Sequence, residues 1–170
     1  MATRLLPFSV ALLDAEAVSV GALCQQMGVA APVDWPPPFG DSGVRNWFRK
    51  QLAADPSLAP WLGHYVVHTR NGDETLVGTA GYKGPPDHDG MVEIGYSIVP
   101  AYHRTGIGSA AVGLLLVQAF GDRRVSRVTA ETPLTATASR ALLAKMGFAT
   151  VGTRTDPEDG ELALYRIERA

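Results

Sequence analysis

Hydrophobic and polar positions change their spacing along the chain, and each change predicts a different kind of element. Apolar residues recur at helical spacing from Ala15 to Met27, where we expect a helix capped by Asp14. A second helix is predicted to begin at Ser42 and to carry apolar residues three and four apart as far as Leu52. Prolines 36–38 stand between the two helices and hold that segment extended.

From residue 63 onward the spacing becomes that of strands. Two alternating runs flank Asn71–Gly72, a strong hairpin signal, and a third run covers Met91–Val99. The pattern then predicts, in order, a helix, a strand, a helix and two closing strands: Ser109–Phe120, Val125–Glu131, Thr135–Met146, Ala149–Thr153 and Leu162–Ile167. This order indicates an α+β fold with a mixed, mostly antiparallel central sheet and one parallel β-α-β crossover.

Composition narrows the class of protein. The 170 residues suit a single domain spanning residues 1–170 with its own core. A formal net charge of −2 gives no basic surface for nucleic acid or an anionic membrane, and no apolar run reaches the roughly 18 residues of a membrane span. Cys24 is the single cysteine and the start of the chain lacks a signal region, so we expect a cytoplasmic protein.

The stretch VPAYHRTGIGS, residues 99–109, joins a predicted strand to a predicted helix. A helix N-terminus presents unpaired N–H groups and partial positive charge, which favour an anion. Gly106 and Gly108 remove the side chains that would keep a phosphate away from those groups. A tight glycine turn without any ligand is the alternative interpretation.

Two nucleotide motifs compete for these glycines. A P-loop requires a lysine directly after its last glycine, where Ser109 stands, so that motif is excluded. Residues 106–111 do match the dinucleotide pattern G-x-G-x-x-A. In that fold, however, the glycines follow their strand almost at once, whereas residues 100–105 intervene in this chain. The length of this insertion disfavours the dinucleotide interpretation.

Side-chain alternation also singles out one carboxylate. On the strand that ends at Val99, the apolar face carries Val92, Ile94, Tyr96 and Ile98, so Glu93 lies on the more polar face. It is a candidate general base, or a plain hydrogen-bond acceptor. His64 and His68 share a strand face, but two ligands without a third are weak evidence for zinc. We expect no metal and keep His64 as a reserve base.

The segments EIGYSIVPAYHRTGIGSAAVGLLL and TASRALLAKMGF resemble the GNAT superfamily of acyl-CoA-dependent N-acetyltransferases, close to its RimJ/RimL-like branch. The likeness covers about Leu76 to Phe148 and implies the GNAT fold. It also implies that acetyl-CoA is the co-substrate, bound by Ile98, Val99, His103, Arg104, Thr105, Gly106, Ile107, Gly108 and Ser109. The chain departs from the family pattern at His103 and Thr105, where other side chains are usual.

The resemblance further implies acetyl transfer to a primary amine, with direct attack in a ternary complex. Glu93 would act as the general base, a backbone N–H near Val99 as the oxyanion donor and Ser139 as the proton donor. Trp35 and Phe39 would wall the acceptor cleft, or would anchor their loop to the core.

The acceptor itself stays open between a protein N-terminus and a small molecule. A small-molecule or antibiotic acetyltransferase is one alternative. A non-catalytic acyl-CoA-binding module is another, suggested by His103, Thr105 and by Ala136, which stands where the branch has asparagine. Whether the chain forms a homodimer is open as well.

Overall fold

A computed structural model describes residues 1–38 and 42–170. Its strands are β1 (Ala2–Pro7), β2 (Gly63–Arg70), β3 (Asp73–Tyr82), β4 (Met91–Ile98), β5 (Arg127–Pro133), β6 (Ala149–Asp156) and β7 (Gly160–Glu168). Its helices are α1 (Val10–Val18), α2 (Val20–Met27), α3 (Ser42–Ala54), α4 (Ile107–Gly121) and α5 (Thr137–Lys145). Short 3₁₀ turns lie at Pro56–Trp61 and Pro100–Tyr102.

The strands of the described ranges form one seven-stranded sheet in the order β1-β2-β3-β4-β5-β7-β6. Neighbouring strands are antiparallel except β4 and β5, which are parallel and are connected through α4. The predicted fold class is therefore confirmed. The predicted hairpin is also present, because Asn71 and Gly72 adopt φ values of 54° and 90° between β2 and β3.

Two hydrophobic clusters lie on opposite faces of the sheet. Consecutive residues of β2 divide between them: Val66 belongs to the cluster beneath α4 and Tyr65 to the cluster beneath α1, α2 and α3. We call these surfaces the α4 face and the α1 face. Beyond β3 the α1 face carries partly exposed polar side chains, among them Glu93, Ser97, Thr129 and Glu131.

At the N-terminus the sequence pattern missed one element and wrongly joined two others. Residues 2–7 form strand β1 on β2, a pairing that no local pattern reveals. In place of the single helix expected from Ala15 there are two helices, because a serine caps the N-terminus of each. The Ser9 hydroxyl accepts from the Leu12 N–H at 3.1 Å, and the Ser19 hydroxyl accepts from the Ala22 N–H at 2.9 Å. Asp14, the expected cap, lies inside α1. The later elements are confirmed, with ends displaced by no more than three residues.

Strands β4 and β5 separate part of the way along their length. They pair only over Met91–Ile94 and Arg127–Ala130. Beyond that point β4 continues beside β3 as far as Ile98, and β5 continues beside β7 as far as Pro133. A gap therefore opens between the two strands at the end where α4 begins.

No helix in the part of the chain that the structure describes is long and apolar enough to cross a membrane.

Candidate active site

The edge of β4 that borders the gap is set by antiparallel pairing. Backbone groups along such a strand point alternately to one neighbour and the other. The Val99 N–H donates to the Val77 carbonyl at 2.9 Å, so Ile98 and Tyr96 direct their backbone groups to the gap. The Val99 N–H itself already belongs to the sheet, so an oxyanion donor near Val99, as the family resemblance implies, would be the neighbouring Ile98 N–H.

The loop between β4 and α4 is shaped to present backbone N–H groups. Arg104 and Gly106 adopt left-handed φ values of 61° and 85°, a conformation that turns N–H groups to one side in anion-binding loops. Gly106 is the N-cap of α4, and no side chain among the described residues caps this helix. The first N–H groups of α4 are thus left available to an anion at the positive end of the helix.

Two polar side chains of this loop form hydrogen bonds to backbone carbonyls within or next to the loop. His103 Nε2 donates to the Ile98 carbonyl at 2.7 Å, and Thr105 Oγ1 donates to the Tyr102 carbonyl at 2.6 Å. Both residues were predicted to contact the cofactor, and the structure brings them to the loop but directs their polar atoms at backbone carbonyls. Arg104 is exposed.

The two glycines have different surroundings. A Cβ added to Gly108 would lie 2.9 Å from Leu142 Cδ1, so this glycine allows α4 to approach α5. A Cβ added to Gly106 would meet nothing within 4 Å, which leaves open space at the N-terminus of α4. Space and unpaired N–H groups at the same point are what a phosphate group requires.

Glu93 lies on the α1 face of β4, where its carboxylate forms an ion pair with Lys83 Nζ. A hollow of about 410 Å³ lies on the Lys83 side, lined by Gly43, Val44, Trp47, Phe48 and Lys83. A second hollow, of about 320 Å³, is lined by Glu93 together with Thr129, Glu131 and other residues of the sheet. The ion pair therefore stands between two concave surfaces.

Ser139 of α5 contacts Tyr96 of β4. Its Oγ lies 2.8 Å from the hydroxyl of Tyr96, and Tyr96 projects from the α4 face of β4. Burial raises the pKa of the Tyr96 phenol, so the hydroxyl keeps its proton at neutral pH. The sequence pattern placed Tyr96 among apolar residues and missed this contact. The available signal was a hydroxyl on an otherwise apolar strand face.

The predicted acceptor wall is partly described. The Trp35 Nε1–H donates to Glu16 at 3.1 Å, and the other carboxylate oxygen of Glu16 accepts from the Tyr65 hydroxyl at 2.6 Å. Trp35 therefore anchors its loop to α1. The Ser97 hydroxyl donates to the Pro38 carbonyl at 2.6 Å and ties the same loop to β4. Phe39 lies outside the described residues.

His64 is unsuited to the reserve role of base. It is 2 % exposed and lies on the α4 face beside Tyr82, whereas Glu93 lies on the α1 face. Burial lowers the pKa of its imidazole, and Nδ1 has no hydrogen-bond partner among the described residues. The described ranges also contain no group of three or more side chains that could hold a metal ion.

Comparison with known proteins gives consistent matches. The family model described as "Acetyltransferase (GNAT) domain" matches residues 4–149. The Bacillus subtilis (strain 168) protein "Uncharacterized N-acetyltransferase YjdG" is 28% identical over 145 residues, which is 85% of this chain and 84% of that protein.

Solved structures share the fold over nearly the whole chain. The ribosomal alpha-N-protein acetyltransferase RimL in complex with coenzyme A has a TM-score of 0.67 at 15% identity, covering 99% of this chain and 94% of its own. The microcin C7 self immunity acetyltransferase MccE, in complex with acetyl-CoA and AMP, has a TM-score of 0.66 at 17% identity, covering 98% and 92%.

Proposed function

Since this chain belongs to the GNAT acetyltransferase family, we propose that it transfers an acetyl group from acetyl-CoA to a primary amine by direct attack within a ternary complex. The observation that carries the proposal is the gap between β4 and β5, which opens directly onto the uncapped N-terminus of α4. An extended chain that ends in phosphates fits this combination of an unpaired strand edge and an anion-binding helix end.

The residues of the gap suit coenzyme A. Backbone groups of Tyr96 and Ile98 can pair with the amides of its pantetheine arm, as a further strand would. The N–H groups of residues 104–109 can bind its pyrophosphate, with Arg104 adding a positive charge. Bound acetyl-CoA supplies the acetyl group as a reactive thioester. Because His103 holds the Ile98 carbonyl, the N–H groups of this edge are the more accessible partners.

Glu93 is the proposed general base. An amine can attack only after losing a proton, and the ordinary pKa is about 10.4 for a lysine and about 7.7–8.0 for an α-amino group. A carboxylate on the α1 face, next to the point where β4 leaves β5, can accept that proton directly or through water. Its ion pair with Lys83 keeps the carboxylate at the mouth of the gap.

Ser139 is the proposed proton donor to the departing thiolate. A serine hydroxyl is a weak acid by itself. In this site the Tyr96 hydroxyl can donate to Ser139 Oγ and orient the serine proton toward the gap. Tyr96 is thus a positioning residue for the proposed donor.

The acceptor approaches over the α1 face in this proposal. The hollow beside Lys83 is lined mainly by apolar and aromatic side chains of α3, which suits an acceptor with an apolar group next to its amine. RimL is named for a ribosomal protein and MccE for immunity to a microcin, so the shared fold accommodates different acceptors. We therefore propose a protein N-terminus or a small-molecule amine.

Release of the coenzyme A thiol, measured against a panel of N-terminal peptides and small amines, tests the proposal. We expect turnover with at least one class of amine, reduced by about 10²- to 10⁴-fold in Glu93→Gln. Glu74→Gln is the matched control, because Glu74 is likewise an ion-paired carboxylate, on β3, and its partner is Arg4 of β1.

Full turnover in Glu93→Gln would move the base to another residue. Stabilisation of the protein by acetyl-CoA without turnover of any amine would instead favour the non-catalytic binding module.

A further inference from the structure

The chain contains three lysines, and only one of them lies at the proposed site. Lys50 is exposed on α3 and Lys145 is exposed at the end of α5. Lys83 directly follows β3, and its Nζ contacts the Glu93 carboxylate. The residue proposed to take a proton from an acceptor amine is therefore already in contact with an amine of the chain itself.

The two residues are held opposite each other by the sheet. The Lys83 N–H donates to the Glu93 carbonyl at 3.0 Å, so their side chains project from neighbouring positions on the α1 face. The Lys83 side chain is 59% exposed and that of Glu93 is 25% exposed. Glu131, another carboxylate near Lys83, is already bound by Arg154 at 2.6 Å. The Lys83 side chain therefore stays accessible to solvent in this arrangement.

The point where the gap between β4 and β5 begins is within reach of Lys83. The pairing of β4 with β5 ends at Ile94, one residue beyond Glu93, and a strand advances by about 3.3 Å per residue. The lysine side chain has a flexible four-carbon stem with a compact amine at its end. Lys83 can therefore turn from the Glu93 carboxylate toward the gap without any movement of the backbone.

We propose that Lys83 is a self-acetylation site: when no other amine is present, the chain transfers an acetyl group to its own Lys83 Nζ. The inference rests on the proposed function. It adds a modification site, the acceptor being a lysine amine of the same chain, and it identifies Lys83 as the group that an external acceptor amine must displace from Glu93.

The Lys83 ammonium gives one proton to Glu93, and the Nζ lone pair attacks the thioester carbonyl carbon. The N–C bond forms, the C–S bond breaks and the thiolate leaves with the bonding electron pair. Two protons leave Nζ in total: one ends on the thiolate sulfur and the other passes to solvent. The product amide is uncharged, so the ion pair with Glu93 is lost.

Incubation with acetyl-CoA and no added amine, followed by mass mapping of the lysines over time, tests the inference. We expect Lys83 to gain one acetyl group about a hundredfold faster than Lys50 or Lys145, since Lys83 has the proposed general base Glu93 beside it. The first-order rate constant for acetylation of Lys83 should not depend on protein concentration. In Glu93→Gln it should fall to the value for the other lysines.

Conservative variants serve as controls. Lys83→Arg retains a cation for Glu93 but offers no acetylatable amine, so the fast modification should disappear. It should persist in Lys50→Arg and Lys145→Arg. If an added amine is turned over but Lys83 is acetylated no faster than the other lysines, this inference alone is overturned. A first-order rate constant that rises in proportion to protein concentration would show transfer between chains and would also overturn it. If neither Lys83 nor any added amine becomes acetylated, the proposed function fails together with it.

Discussion

Gly106 adopts a φ of 85° at the N-cap of α4, and a Cβ added there would point into open space. Gly160, the first residue of β7, has a similar φ of 74° and no atom within 4 Å of an added Cβ. A side chain at either position incurs the same left-handed strain. Only at Gly106 would it also occupy the space proposed for phosphate.

Gly106→Ala and Gly160→Ala should therefore lose similar amounts of stability but differ in how much coenzyme A stabilises them. We expect each variant to lose about 1–2 kcal/mol in its free energy of unfolding. At a coenzyme A concentration 100 times the Kd, the wild type should gain about 2.7 kcal/mol. Gly160→Ala should keep this gain and Gly106→Ala should lose most of it, as measured by denaturant unfolding with and without coenzyme A. Equal protection of both variants would place the phosphates elsewhere.

Strand β4 contributes to both sides of the proposed site. Alternation places Glu93 on the α1 face, toward the proposed acceptor, and Tyr96 on the α4 face, toward Ser139 of α5. The strand has a free edge between these faces because β5 leaves it after Ile94. One element thus carries the proposed base, the unpaired backbone groups and the hydroxyl that holds the proposed proton donor.

Tyr96→Phe and Ser139→Ala should each slow acetyl transfer without changing the affinity for acetyl-CoA. Because the two hydroxyls act as one unit in the proposal, the double variant should be no slower than the slower single variant. Tyr82→Phe is the matched control: its buried hydroxyl donates to the Leu115 carbonyl at 2.6 Å, so this variant should lose about 1 kcal/mol of stability and no activity.

Steady-state turnover measured across pH distinguishes these outcomes. If the losses of activity multiply in the double variant, Tyr96 and Ser139 act independently, and Tyr96 is not a positioning residue for Ser139.

Across the whole molecule, two kinds of group make stability depend on pH. His64 lies sealed beneath α4, and its lowered pKa means that the folded state binds a proton less readily than the unfolded state does. Arginine partners lower the pKa of several carboxylates, that of Asp122 to about 2. The stabilising effect of His64 is complete above its ordinary pKa of about 6.5 and disappears as the pH falls below it. The stabilising effect of the carboxylates disappears at lower pH, where they become protonated.

The free energy of unfolding should therefore decline in two stages on acidification. The first decline, which begins as the pH falls below about 6.5, should be weaker in His64→Gln, because no buried imidazole then has to become charged. His88→Gln is the control, since the His88 side chain is 89% exposed. Denaturant unfolding at several pH values measures both stages. An unchanged first stage in His64→Gln would assign it to another group.

Local patterns alone allowed the sequence to predict the hairpin at Asn71–Gly72, the alternation of β4 and the β-α-β crossover with its glycine loop. Each of these depends on residues a few positions apart, for which spacing decides which face is buried. The resemblance to acyltransferases rested on two such local segments, residues 93–116 and 137–148, and the family match over residues 4–149 confirmed it. Turn and cap chemistry was harder to assign, since Ser9 and Ser19 start helices where Asp14 was expected to do so.

The sequence by itself thus determined the fold class, the family and the position of the proposed anion-binding loop. Only the tertiary structure decided that β1 pairs with β2, that the Val99 N–H is used by the sheet and that His64 is sealed away from the site. It also decided the contacts of Tyr96 with Ser139 and of Lys83 with Glu93. The physical reason is that strand register and helix packing bring distant residues together, and the spacing within one element carries no information about that partner.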